Sequence, residues 1–224
     1  MSRIEQVFAR LRADKRTGLV TYVTAGDPSM AATADILRTL AGSGADVLEV
    51  GVPFSDPLAD GPVIQRATER ALAAGATLAG VLDMLVRVRD QIDAPIVIFS
   101  YANPILRMGL DAFARRAREA GVDGVLTLDV PPEEAEAWRQ QFGTAGIDTI
   151  FLLSPTTADD RIRRAAALGS GFLYGISRLG VTGTRDTVAD GAQALAARMR
   201  AAARGPAPMW SGAAATPRTR SMGC

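Results

Sequence analysis

The stretch DVLEVGVPFSDPLADG, residues 46–61, places one carboxylate inside an apolar strand and others in the loop that follows. Aliphatic residues flank Glu49 on both sides, which is typical of a strand covered on both faces in a parallel sheet. An ionised carboxylate is costly to remove from water unless it is paired or its pKa rises. Glu49 is therefore either a hydrogen-bonded structural residue or a tuned acid–base group.

The loop after this strand is predicted to be ordered, because Pro53 and Pro57 restrict the backbone around them. Asp56 and Asp60 lie in this loop, and Pro62 is well placed in the first turn of the next helix. The simplest interpretation of Asp60 is an N-cap. A strand-end glutamate followed by a loop aspartate also fits a pair of catalytic carboxylates, so both interpretations stay open.

The composition excludes several classes of function. The chain has 224 residues, of which 48% are hydrophobic, and its net charge is +1. This size supports one substantial core, and the charge provides no argument for binding to nucleic acid or to an anionic membrane. No apolar run approaches the roughly 18 residues of a membrane span, so we expect a cytoplasmic protein.

Histidine is absent, and the one cysteine is the last residue, Cys224. Catalysis by Ser/His or Cys/His pairs and the usual zinc-binding spacings are therefore excluded, and no metal site is expected. Acid–base chemistry falls to Asp, Glu, Tyr or Lys side chains.

Apolar strands alternate with amphipathic helices along the chain. An N-terminal helix is expected to cover the bottom of the core with its apolar stripe. Strands are predicted to start near residues 19, 46, 95, 122, 147 and 171, and a seventh near 208. The further helices are predicted at about 29–41, 63–73, 78–92, 110–120, from 131, 154–168 and 192–203.

This alternation predicts the α/β class with a parallel sheet and right-handed crossovers. The polar motifs all follow strands, so function is expected at the carboxyl ends of the strands. A (β/α)₈ barrel and an open doubly wound sheet both satisfy that rule. Repeats of similar length, and the lack of G-x-G-x-x-G after the first strand, favour the barrel. The loop SRLGVTGT, residues 177–184, could bind phosphate through backbone N–H groups and move as a lid.

The motifs resemble one family, the alpha subunit of tryptophan synthase. The match in order and spacing extends over about residues 1–203. It consists of VTAGDP after the first strand, LEVGVPFSDPLADGPVIQRA across the second, SYANPI after the third, DVP after the fourth and LYGISRLGVTG at the sixth. The resemblance implies a (β/α)₈ barrel that cleaves indole-3-glycerol phosphate to indole and glyceraldehyde 3-phosphate. It also implies a beta subunit as partner, which receives the indole and carries the pyridoxal phosphate, so that this chain needs no cofactor of its own.

By the same resemblance, Glu49 is the acid–base residue and Asp60 the second catalytic carboxylate. A glutamate in an apolar strand end can shuttle protons, and an ionised aspartate can stabilise the positive charge that develops at the indole N–H.

The resemblance also implies residues that bind the substrate and the partner. The loop around Asp56 and the lid are expected to communicate with the beta subunit. The substrate contacts are Tyr22, Phe99, Tyr101, Leu126, Tyr174, Thr182 and Gly183, and the partner contacts are Pro53, Asp56 and Pro57. Packing in the core is the alternative role for Tyr22 and Phe99.

The end of the chain departs from the family's pattern. Residues 1–204 are predicted to form the barrel domain, and residues 205–224, GPAPMWSGAAATPRTRSMGC, a tail unlike the family's. No eighth strand is predicted, and the family's last phosphate-binding loops have no counterpart. A reading-frame change just after Pro208 would explain the tail, and encoding DNA with no frame that restores the family's ending would refute it.

Three functions remain open at this stage. The first is a working lyase, and the second is an alpha-like module that only docks on a beta subunit. The third is another phosphate-binding barrel enzyme of the same pathway. The third fits the repeat but not the Glu49 and Asp60 motif, and fold alone does not separate the three.

We expect the chain to be unstable, prone to aggregation or dependent on a partner, and to have little lyase activity, because a barrel that lacks its last strand leaves sheet edges and apolar surface open. Thermal unfolding followed by circular dichroism and light scattering checks this expectation. A single cooperative transition above about 50 °C, without aggregation, would contradict it.

Overall fold

The computed structural model describes residues 1–176, 190–202 and 209–212, which contain a parallel sheet of seven strands in sequence order. Within these residues, β1 and β7 each pair with one neighbour. The predicted seventh strand is present, one residue later than expected. The strands are β1 (Val20–Thr24), β2 (Val47–Gly51), β3 (Ile96–Ser100), β4 (Gly124–Thr127), β5 (Asp148–Leu153), β6 (Leu173–Ile176) and β7 (Met209–Gly212).

Helices connect the strands and produce the right-handed βα repeat of a TIM-barrel-like fold. The described helices are α1 (Arg3–Ala13), α2 (Met30–Gly42), α3 (Pro62–Ala73), α4 (Leu78–Val88), α5 (Ala102–Met108), α6 (Leu110–Glu119), α7 (Glu136–Thr144), α8 (Asp159–Leu168) and α9 (Asp190–Ala202). None of them is long and apolar enough to cross a membrane alone, although α3 with the segment Leu78–Gln91, bent by 88°, meets the same criteria as a pair.

Three details of the predicted helices were wrong. Helix α5 after β3 was not predicted; Pro104 is compatible with it because it lies in the first turn, where a backbone N–H has no intrahelical partner. Helix α7 begins at Glu136 and not at 131, because a separate turn precedes it, in which the Glu134 amide donates to the Pro131 carbonyl. Helix α8 begins at Asp159, because the Ser154 amide is bound by the Thr157 hydroxyl.

The first helix closes the lower end of the barrel, as its apolar stripe predicted. Phe8 packs against Phe172 before β6, with ring centroids 5.4 Å apart. The stripe and the strand interior form one cluster of Ile4, Val7, Phe8, Leu11, Val47, Val97, Leu126, Ile150 and Phe172. The inner face of the sheet is therefore a packed core and not a pore.

A capping box starts α1 and fastens it to the sheet. The Ser2 hydroxyl accepts the Glu5 amide at 3.2 Å, and the Glu5 carboxylate accepts the Ser2 amide at 2.8 Å. The same hydroxyl donates to Asp148 at the start of β5 at 2.6 Å. One serine therefore both caps the first turn of the helix and ties the helix to the sheet.

The larger core lies between the outer face of the sheet and the helices α2, α4, α6 and α7. Its aromatic centre is Phe142, whose ring meets Phe113 at 5.8 Å and Trp138 at 6.0 Å. Strands buried on both faces explain why β2 and β3 are almost wholly apolar, and why Glu49 stands out in β2.

A buried ion pair joins the end of α4 to the start of β4. Arg89 donates to the Gly121 carbonyl at 2.8 Å and to Asp123 at 3.0 Å, and both side chains are about nine-tenths buried. Asp123 also accepts the Ile96 amide at 2.8 Å. Arg89 thus holds the amino ends of β3 and β4 together.

Replacement of Arg89 by Ala should lower the free energy of unfolding by about 3–5 kcal/mol, because it leaves the Asp123 carboxylate buried with too few partners. Urea denaturation of the purified chain measures the loss. Arg115→Ala is the matched control, since its pair with Asp111 is exposed and should contribute less than about 1 kcal/mol. Equal effects of the two substitutions would contradict this account of the lower end of the barrel.

Candidate active site

Glu49 lies in the middle of β2, with Tyr22 of β1 and Val97 of β3 beside it in register. Its side chain is buried, with 3% of the residue exposed. No group in the described part of the chain makes a hydrogen bond to its Oε1 atom. The structural alternative, a carboxylate satisfied by backbone amides, is therefore wrong for this oxygen.

Burial alone raises the pKa of Glu49 to about 8. Among the described residues no cation or amide offsets the loss of water, so the carboxyl group is mainly protonated at neutral pH. A neutral carboxyl group that ionises near pH 8 can both donate and accept a proton under ordinary conditions, which is the requirement for a group that shuttles protons.

Asp60 lies in the loop between β2 and α3, and it does not cap the helix. The N-cap residue is Gly61, which makes no side-chain hydrogen bond, and Pro62 is the first helical residue. Instead, the Oδ2 atom of Asp60 accepts the Tyr101 hydroxyl at 3.2 Å. Partial burial raises the pKa of Asp60, and the bond from Tyr101 opposes that rise.

The loop that carries Asp60 is held at both ends. Gln65 of α3 donates to the Asp60 carbonyl at 3.0 Å, and the Tyr101 hydroxyl accepts the Ala59 amide at 2.9 Å. The Phe54 ring packs on Tyr101 with centroids 5.2 Å apart. These contacts confirm that the loop is ordered, as its prolines predicted.

Three aromatic rings line the carboxyl side of the strands. Phe99 meets Tyr22 edge-on at 5.4 Å and Tyr174 at 6.1 Å, so the three rings form a continuous wall. Leu126 lies beside Phe99 in register and is fully buried in the inner core. Such a wall offers an apolar aromatic surface next to the two carboxylates.

The role of Gly51 was not found from the sequence, where it only marked the end of β2. A Cβ atom there would lie 2.0 Å from the Tyr22 hydroxyl oxygen. The absence of a side chain therefore makes room for the Tyr22 ring above the strand. The sequence does contain a signal for this role, because a glycine within a strand often marks a position where another group approaches the backbone closely.

The predicted residues that the structure brings together lie on the inner face of the sheet and in the segments after β2 and β3; they are Glu49, Asp60, Tyr22, Phe99, Tyr101, Leu126 and Tyr174. Of the predicted partner contacts, Pro53 is buried, Pro57 half-buried and Asp56 exposed. Thr182 and Gly183 lie outside the described residues. Within residues 1–176, 190–202 and 209–212, no group of three or more His, Cys, Asp or Glu side chains could hold a metal ion.

The fold and these side chains define a TIM-barrel-like protein with one carboxyl group inside its second strand and another in the loop that follows this strand. A family model, described as tryptophan synthase alpha chain, matches residues 8–219. The chain belongs to the tryptophan synthase alpha chain family.

Individual relatives agree with this assignment. A tryptophan synthase alpha chain of Burkholderia mallei is 57% identical over 185 residues, which cover 82% of this chain and 68% of that one. Its counterpart in Geobacter sulfurreducens is 54% identical over 188 residues, 84% of this chain and 71% of that one.

Solved structures show the same fold. The structure of Mycobacterium tuberculosis tryptophan synthase superposes with a TM-score of 0.87 at 37% identity, over 94% of this chain and 80% of that chain. The alpha subunit from Legionella pneumophila gives 0.83 at 38% identity, over 95% and 78%. The tryptophan synthase α2β2 complex from Pyrococcus furiosus gives 0.81 at 36% identity, over 87% and 77%.

Glu49→Gln should stabilise the protein increasingly as pH rises. The folded state keeps the Glu49 proton up to about pH 8, whereas the unfolded chain releases it near the ordinary value of 4.5. The wild type therefore loses stability between these pH values, by an amount on the order of 3 kcal/mol at pH 7, and the glutamine variant does not.

Urea denaturation of both proteins at pH 5, 7 and 8 measures this difference. The other carboxyl groups titrate alike in the two proteins, so only the difference between the curves reports on Glu49. Parallel curves across this pH range would show that the carboxyl group ionises at its ordinary pKa.

Proposed function

We propose that this chain is a lyase of tryptophan biosynthesis, which cleaves indole-3-glycerol phosphate to indole and glyceraldehyde 3-phosphate. The observation that carries the proposal is the buried carboxyl group of Glu49, whose Oε1 atom has no hydrogen-bond partner among the described residues and whose pKa burial raises to about 8. Asp60 lies in the loop that follows the same strand. Membership of the tryptophan synthase alpha chain family supports it independently.

Glu49 acts first as an acid and then as a base. The neutral carboxyl group gives its proton to C3 of the indole ring, which makes the ring an indolenine. The carboxylate that remains takes the proton of the glycerol hydroxyl next to the bond to be broken. That oxygen then forms the aldehyde, the carbon–carbon bond breaks, and its electrons return to the indole ring, so Glu49 regains its proton.

Asp60 stabilises the charge that develops during this step. Protonation at C3 leaves positive charge on the ring nitrogen, and an ionised Asp60 that accepts the N–H lowers the energy of that state. The site is partly buried, so this interaction is stronger than it would be in water. Tyr22, Phe99, Tyr174 and Leu126 enclose the flat ring and orient C3 towards Glu49.

The phosphate group of the substrate requires donors beyond this wall. Thr182 and Gly183 remain the predicted contacts, with the Gly183 amide as donor. The proposal therefore assigns the ring to the described strands and the phosphate to the loop after β6.

The partner that fits this chain is a tryptophan synthase beta subunit in an α2β2 assembly. The M. tuberculosis and P. furiosus structures are tryptophan synthases, the latter an α2β2 complex. The loop with Pro53, Asp56 and Pro57 presents Leu58, which is 93% exposed, and the neighbouring Val63 of α3 is 67% exposed. Exposed apolar residues next to a catalytic loop suit a protein interface. In this assembly the beta subunit binds pyridoxal phosphate, and we expect the complex in the cytoplasm.

A second candidate function is a chain that docks on the beta subunit without cleaving the substrate. The specific observation in its favour is that β1 and β7 keep one unpaired side each within the described residues. A barrel that stays open admits water to the site and weakens the electrostatic effects on which catalysis depends.

Release of indole from indole-3-glycerol phosphate tests the proposal, with purified chain alone and with a beta subunit. Glu49→Gln should lower kcat by at least about 100-fold, because it removes the acid and base group. Asp60→Asn should lower kcat by about 100-fold or more, because a neutral amide stabilises the developing charge poorly. The basic limb of the pH profile of kcat/KM should have an apparent pKa near 8.

The outcomes separate the candidate functions. Loss of activity in both variants, with the wild type active, supports the lyase. A folded wild type that binds the beta subunit but releases no indole supports the docking module. Activity that survives Glu49→Gln would overturn the proposed mechanism.

A further inference from the structure

Tyr101 connects Asp60 to the rigid part of the sheet. It follows β3 directly, and its ring is buried, with 6% of the residue exposed. The next residue, Ala102, donates its amide to Asp129 after β4 at 2.7 Å, which holds the backbone at this point. The location of the Tyr101 hydroxyl is therefore determined by the ends of two strands.

The hydrogen bonds at the Tyr101 hydroxyl can run in one direction only. The Ala59 amide is a donor, so it must use a lone pair of the tyrosine oxygen, at 2.9 Å. The single phenol proton is then directed to Oδ2 of Asp60, at 3.2 Å. Two bonds in series polarise each other, and the second one favours the ionised carboxylate.

We propose that Tyr101 is the positioning residue for Asp60: its hydroxyl fixes the direction of the carboxylate and ties it to the β2–α3 loop through the Ala59 amide. The bond occupies Oδ2, and no described group binds Oδ1, which is therefore available to the indole N–H. This inference rests on the proposed lyase function, in which Asp60 must stay ionised and point at the ring nitrogen.

The other groups around Asp60 do not replace this bond. Tyr22 from β1 lies within electrostatic reach of both Asp60 and Glu49, and Asp129 after β4 acts on Tyr101. All of these groups are acidic or neutral. Among the described residues, no arginine or lysine stabilises the Asp60 carboxylate, and the bond from Tyr101 is the contribution that lowers its pKa.

Tyr101→Phe removes the hydroxyl and keeps the ring that packs on Phe54. Titration of ¹³C-carboxyl-labelled protein by NMR, with the Asp60 signal assigned from Asp60→Asn, should show its pKa raised by about 1 unit. The acidic limb of kcat/KM should move to higher pH by the same amount. We expect kcat to fall about 10-fold with little change in KM, because the ring contacts remain.

Phe54→Leu is the matched control, because it loosens the packing on the Tyr101 ring and leaves the hydroxyl in place. It should lower thermal stability without a shift in the pKa of Asp60 or in the acidic limb. A purely structural role of Tyr101 predicts that both variants behave alike.

If Tyr101→Phe does not fold, a variant that strengthens the hydrogen bond to Asp60 tests the inference instead. 3-Fluorotyrosine at position 101 is a stronger donor of nearly the same shape, and it should lower the pKa of Asp60. An unchanged pKa in the folded Tyr101→Phe protein, or in the fluorotyrosine protein, would overturn the inference. The lyase proposal fails separately, if Asp60→Asn and Glu49→Gln retain activity.

Discussion

The site depends on the burial of one carboxyl group in a parallel sheet. Both faces of β2 are covered, one by the helices and the other by the interior of the barrel, so Glu49 cannot reach water. The same packing that makes the sheet stable therefore moves the pKa of Glu49 towards neutrality. Burial of this carboxyl group costs stability, but it provides the raised pKa that acid–base chemistry requires. A residue with a purely structural role at this position would be apolar.

The two carboxyl groups differ because their surroundings differ. Glu49 is on a strand, its Oε1 atom receives no hydrogen bond from the part of the chain that the structure describes, and it stays protonated. Asp60 is on a loop, receives the Tyr101 proton and keeps some contact with water. One fold thus provides an acid and an anion from the same functional group, without histidine or metal, because the environment separates their pKa values.

Local patterns were enough to predict the strands and the α/β class, and they made Glu49 and Asp60 candidates; the catalytic roles of the two carboxyl groups came from the family resemblance and stay predictions. Continuous apolar runs revealed buried strands, and a glutamate inside such a run could not be ordinary. The errors occurred where distant residues decide. Asp60 was compatible with an N-cap until the Tyr101 hydroxyl, forty-one residues away, was seen to bind it. Likewise, the space above Gly51 is evident only when Tyr22 of the neighbouring strand is in place.

The contacts between α1 and the lower end of the barrel affect the order in which the protein can fold. Helix α1 is synthesised before the sheet, yet Phe8 packs on Phe172 and Ser2 binds Asp148, which follow much later in the chain. Its apolar stripe stays uncovered until those residues are made, and the barrel interior cannot exclude water before the helix packs against it. A segment that is made early is thus among the last to reach its final position.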